Sequence, residues 1–167
     1  MLPFFLQFAG VLAAVLLQGS VLPVIVPWLP FNPALILLVF ASFKTPRNRL
    51  LALALWAGLL QDVMYGEVLG LSMLGLYLGF MAVHEIKTEF VDHPFTACAL
   101  RLIIAVLIQE LTYAFFFYIR GATGLFAALQ VNAGKSLLAN LLLLGLAFLW
   151  LRFRNKKYLK GLMEEIS

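Results

Sequence analysis

Residues 4–22 run for 19 positions without a charged side chain, and about 20 apolar residues carry a helix across the hydrocarbon of a bilayer. Two further stretches are comparable. Residues 95–119 contain only Arg101 and Glu110, and residues 133–151 contain only Lys135 and Arg-free leucine-rich sequence. These runs fix the solvent as lipid. Composition agrees: 63% of the 167 residues are hydrophobic and 12% are charged, against about 25% charged in soluble domains. The longest polar segments are residues 84–93 and the tail 152–167, too short for a sizeable extramembrane domain. Most soluble-enzyme chemistry is thereby disfavoured.

Prolines divide the first third of the chain. Pro23, Pro27, Pro30 and Pro33 each lack a backbone donor and clash with the preceding helical turn. Asn32-Pro33 then offers a good restart, with an asparagine N-cap and proline at the first helical position. The pass along the chain gives an all-α integral membrane protein, a six-transmembrane-helix bundle. Its expected spans are about 4–26, 33–43, 48–65, 69–86, 95–119 and 129–151, forming one domain, 1–151. A basic cytoplasmic tail, 152–167, follows. The second span is too short to cross about 30 Å alone. It needs help from residues 28–32, or a thinned or protein-filled surrounding. No basic n-region precedes the first apolar run and no small-x-small site follows it, so a retained span is expected rather than a signal peptide.

Charge tests the count. With both termini inside, Lys44, Arg47, Arg49, Lys87, Arg101, Arg152, Arg154, Lys156, Lys157 and Lys160 fall on the cytoplasmic side, and only Arg120 and Lys135 fall outside. Ten against two is the bias the positive-inside rule demands. A five-span reading would put the basic loop and the basic tail on opposite sides. The net charge of +4 is thus a topology signal, not a nucleic-acid signal.

The mid-chain stretch GLLQDVMYGEVLGL places Asp62 among Gly58, Gly66 and Gly70. A carboxylate at the outer end of the third span escapes the bilayer centre, where a charge costs at least about 2.5 kcal/mol. The turn is compact, so Asp62 is expected to accept hydrogen bonds from turn or helix N-terminal amides. Gly66–Gly70 and Gly75–Gly79 are G-x-x-x-G pairs, which permit close helix approach. They fit either a recognition face for another membrane protein or ordinary packing within the bundle. Glu110, beside Gln109, is the deepest acid and a functional candidate by its depth alone. Its structural alternative is a hydrogen bond to Gln109, Thr112, Asn132 or Asn140. Lys135 either lines a site or snorkels to the headgroups. Cys98 is the single cysteine and cannot form an internal disulfide. His84, Glu85, Glu89, Asp92 and His93 match no zinc spacing and read as a solvated loop. No nucleophile elbow, phosphate loop or dinucleotide fingerprint occurs. No catalytic residue, metal or cofactor is expected.

Several of these elements together resemble one family. They are Gln18 to Pro23, the run Asn32-Pro33-Ala34-Leu35, and Gly58-Leu59-Leu60-Gln61-Asp62 through Gly66 and Leu69-Gly70-Leu71. The chain resembles the rod shape-determining protein MreD family over essentially its whole length. The family often has an acid after the second-span proline, and here that position is Ala34. The resemblance implies a non-enzymatic scaffold or regulator of lateral peptidoglycan synthesis in the bacterial cytoplasmic membrane. It implies an MreC-like bitopic partner. Indirect partners would be the MreB filament, a RodA-type glycosyltransferase and a class B penicillin-binding transpeptidase. It also implies a fold similar to the S-components of energy-coupling-factor transporters. Gly58, Gln61, Asp62, Gly66, Leu69 and Gly70 are then the partner-binding or structural motif. Gln109, Glu110, Asn132 and Lys135 are the intramembrane polar candidates. The rival reading is a small-molecule binder of the S-component type, using Asp62, Asn132 and Lys135. A pocket lined by these polar groups would favour it, and a lipid-facing groove of small residues would favour the scaffold.

Overall fold

A computed structural model describes residues 4–25, 27–65, 68–85, 94–121 and 125–154. Every regular element among them is helical: α1 (Phe4–Ser20), the one-turn α2 (Leu22–Ile25), α3 (Pro33–Lys44), α4 (Arg47–Tyr65), α5 (Leu71–Glu85), α6 (Pro94–Ile119) and α7 (Leu125–Arg154). The chain is an all-α bundle. Among the described residues, three stretches are long and apolar enough to cross a bilayer: Phe5–Ile25, Phe95–Ile119 and Ala133–Trp150.

The short helix α3 organises the rest. It packs against α1, α4, α5, α6 and α7. Its residues Ala34, Leu35, Leu38 and Val39 are wholly buried. Twelve residues give a helix of about 18 Å, short of the roughly 30 Å hydrocarbon thickness. The mismatch is eased because protein covers most of it, with Leu37 left exposed. Asn32 starts α3 as expected, its side-chain oxygen accepting from the Leu35 amide at 3.0 Å, with Pro33 at the first helical position.

The remaining long helices form an arc around α3, each packed on the next: α1 on α4, α4 on α5, α5 on α6 and α6 on α7. Leu50, Leu53, Ala54 and Ala57 of α4 and Leu76, Phe80 and Val83 of α5 meet Leu102 and Ala105 of α6 in one core. Lipid tails are as apolar as leucine, so burial alone gives such helices little reason to associate. Close packing and hydrogen bonds must do it, and the glycines show how. A Cβ on Gly58 would lie 2.3 Å from the Met73 Cα, on Gly79 3.1 Å from the Ala105 carbonyl oxygen, and on Gly75 3.2 Å from the Gln109 side chain. Gly58 brings α5 onto α4; Gly75 and Gly79 bring α6 onto α5. These three serve packing inside the bundle. The side chains facing outward from the bundle are apolar, among them Leu12 and Leu16 of α1 and Leu138, Leu142 and Leu146 of α7.

The end of the bundle carrying Lys44 and Arg49 holds most of the described charge. Arg47 pairs with Glu85 at 3.0 Å, linking the start of α4 to the end of α5. Arg101 is accommodated within the packing. Its Nη1 donates to the Ser42 hydroxyl at 2.9 Å, and its guanidinium lies 3.8 Å over the Phe43 ring.

Candidate functional site

At the opposite end, the motif of the third span resolves into a cap. Asp62 is on the last turn of α4, four residues after Gly58 and on the same face. Its Oδ2 accepts from the Gly70 amide at 2.8 Å and the Met73 amide at 3.2 Å, and its Oδ1 accepts from the Ser72 amide at 2.9 Å. These are N-terminal donors of α5, which the helix itself cannot satisfy. A carboxylate there also faces the positive end of the helix dipole. Gly58 and Asp62 therefore act together: the missing side chain lets the start of α5 come close, and the carboxylate holds it. Gly70 has φ +94°, a conformation costly for any residue with a Cβ. Leu69 is exposed. Gly66 lies outside the described residues.

Gln61, next to this cap and 2% exposed, joins three helices. Its Nε2 donates to Asn32 Oδ1 at 3.1 Å and to Gln18 Oε1 at 3.3 Å. The Asn32 amide donates in turn to Asn140 Oδ1 at 2.8 Å, and Asn140 Nδ2 donates to the Ser136 carbonyl at 2.9 Å. Amides from α1, α4 and α7 thus converge on the N-terminus of α3. In hydrocarbon each of these groups would be costly alone. Linked, they fix the register of four helices.

Above that network α3 has ended, and the space a longer helix would fill is open. Two adjoining cavities, about 670 and 370 Å³, share walls of Gln18, Pro30, Phe31, Glu110, Tyr113 and Phe117. The smaller reaches Asn32, Gln61, Asp62, Ser72, Gln109 and Ser136; the larger reaches Trp28 and Lys135. Glu110 is hydrogen-bonded to Ser136, a partner outside the set expected for it. Thr112 instead donates to the Ile108 carbonyl at 2.8 Å. The Tyr113 hydroxyl bonds Ser72 and also meets Gln109.

The polar candidates therefore separate. Gln109, Glu110 and Lys135 share one cavity system with Gln61 and Asp62, although the Asp62 oxygens are already engaged. The Asn132 side chain lies outside the described residues. Ser72, Tyr113 and Ser136 line the cavities without having been candidates in the sequence, and Gln18 stood out there only as the start of the Gln18 to Pro23 element. An isolated uncharged polar residue inside an apolar helix was the available signal. Among the described residues no group of His, Cys, Asp and Glu is placed to hold a metal, and Cys98 is buried.

The family model described as rod shape-determining protein MreD matches residues 1–158. The chain belongs to the MreD family. As an MreD-family protein it has a non-enzymatic membrane role in cell shape and the elongation machinery. Comparison with curated proteins and with solved structures gives no match.

Proposed function

We propose that this MreD-family chain is a scaffold of the cell-elongation complex that binds an MreC-like bitopic protein. Through it the chain would communicate with the MreB filament, the RodA-type glycosyltransferase and the class B transpeptidase. The observation that carries this reading is the family match over residues 1–158. The outward apolar side chains offer surface for a transmembrane partner, whereas the mid-chain motif is used in packing and capping inside the bundle. The scaffold spans the cytoplasmic membrane six times, with both termini in the cytoplasm, as the charge bias indicates. Its mechanism is control of populations: binding favours one state of the partner only to the extent that the affinities for its states differ.

The test is co-purification of the tagged full chain with an MreC-like protein from gently solubilised membranes. A stoichiometric bitopic partner, lost together with rod shape when the chain is depleted, is the expected result. Rod shape maintained in cells lacking the chain would overturn the proposal.

The polar-lined cavities favour a second reading, a small-molecule site in a bundle of the S-component type. Glu110 and Lys135 offer opposite charges beside the aromatic walls of Tyr113 and Phe117. Native mass spectrometry separates the readings. A small molecule retained by the wild type and lost from Glu110→Gln and Lys135→Met supports the site; an empty bundle with a protein partner supports the scaffold alone.

A further inference from the structure

Glu110 and Lys135 line the same cavity of about 670 Å³ without neutralising each other. Among the described residues Lys135 enters no ion pair, and Glu110 is bonded by the Ser136 hydroxyl. That hydroxyl accepts from Asn140 Nδ2 at 3.5 Å, which leaves its proton for the carboxylate. A carboxylate has about four acceptor sites, so Glu110 keeps acceptor capacity for a ligand. Asp62, the other acid of the cavity system, is already taken by three amides. The wall around Glu110 is ordered. Glu110, Tyr113, Ala114 and Phe117 follow at steps of three and four along α6, which puts them in one stripe, and all four line the larger cavity. Tyr113 and Phe117 thus set rings beside the carboxylate, and Trp28 adds a third ring to the same cavity. An acid flanked by aromatic faces suits an ammonium group. A lysine without a countercharge suits an oxyanion.

We propose that this cavity binds a zwitterion of the aminoalkyl phosphate class, with its ammonium at Glu110 and its phosphate at Lys135. The proposal rests on the second reading above, a ligand site in these cavities, and names the ligand class. Charge makes the selection. A lone anion is repelled by Glu110, a lone cation is repelled by Lys135, and a neutral polyol leaves both charges unpaired where that is costly. A zwitterion neutralises both at once. Because the two side chains form no ion pair, the ligand's charges are several bonds apart, as in an aminoalkyl phosphate and not in an α-amino acid. The amine is primary. A primary ammonium has three donors, and past Glu110 the smaller cavity offers the side chains of Gln61, Ser72 and Gln109 as further acceptors. On the larger cavity Leu22, Pro23 and Pro27 form an apolar wall. The same two charges are carried by a soluble compound and by an aminophospholipid headgroup, whose tails would leave along that wall.

The experiment is native mass spectrometry of the full chain in detergent, in two arms. One arm offers equal amounts of phosphatidylethanolamine and phosphatidylglycerol. The other offers glycerophosphoethanolamine and glycerophosphoglycerol, the same headgroups without tails. Retention of the ethanolamine member in preference is the expected result. A preference in the soluble arm assigns the ligand to solution, and one confined to the lipid arm assigns it to the membrane. Glu110→Gln keeps the side chain's size and an acceptor for Ser136, so the bundle is preserved. It lowers retention of the ethanolamine member about tenfold and leaves the glycerol member unchanged. Lys135→Met lowers both members by the same factor, since both carry the phosphate. Equal retention of the two members in both arms overturns the proposal, as does a preference that survives Glu110→Gln. The site and the ligand class fail separately. An amine-free compound carried through purification and lost from both variants overturns the zwitterion and leaves the site. A chain that retains nothing in either arm overturns both.

Discussion

Asp62 shows how one side chain can tie two helices together. Its two oxygens take three amides at the start of α5. Asp62→Ala leaves those donors without the carboxylate, and the expected loss of stability is about 2 kcal/mol. Asp62→Asn keeps one acceptor oxygen and is expected to lose about half as much. Thermal unfolding in detergent measures both, and equal stability of all three proteins would remove the capping role. Glycines divide in the same way. Gly58→Ala puts a methyl group 2.3 Å from the Met73 backbone, and the helices must separate at a cost of about 1–3 kcal/mol. Gly145→Ala meets nothing within 4 Å and gains up to about 1 kcal/mol from helix propensity. The presence of Asp62 among glycines was legible as a carboxylate meeting helix amides. Which glycine faces Met73 was not, because spacing of four residues is shared by Gly66, Gly70, Gly75 and Gly79 and says nothing about the neighbour.

At the scale of elements, α3 carries the main lesson. Its start was legible residue by residue in Asn32-Pro33, and its shortness was legible in the prolines before it. Its position at the centre was legible only as one option, a protein-filled surrounding, since an apolar helix covered mostly by protein has the same composition as one bathed in lipid. The network around its N-terminus was hidden for a related reason: Gln18, Asn32, Gln61 and Asn140 are far apart in sequence and join only when four helices are in place. Ala34, where the family often has an acid, is wholly buried in that packing. Asn32→Ala removes the acceptor used by both Leu35 and Gln61. An expected loss of about 1–2 kcal/mol should be accompanied by faster amide exchange over the first turn of α3, read by hydrogen–deuterium exchange. Unchanged protection there would show that Asn32 is not the cap in solution.

For the whole molecule, membrane character and the all-α class followed from apolar length alone, whereas the cavities depend on where α3 stops relative to its neighbours. Orientation has a direct check. In a Cys98→Ala background, Lys135→Cys should react with a membrane-impermeant thiol reagent in intact spheroplasts, and Lys44→Cys should react only after permeabilisation. The reverse pattern would invert the bundle. The cap between α4 and α5 bears on how such a chain is made. The donors for Asp62 are 8–11 residues further along, so they are synthesised after it. A nascent α4 therefore enters the insertion machinery with its carboxylate uncapped, and α5 arrives with bare amides. Each helix is a poor substrate for insertion by itself, and together they are a good one. The pair should be delivered to the membrane as a hairpin, and damage to it should first be visible as missing protein, cleared during biogenesis.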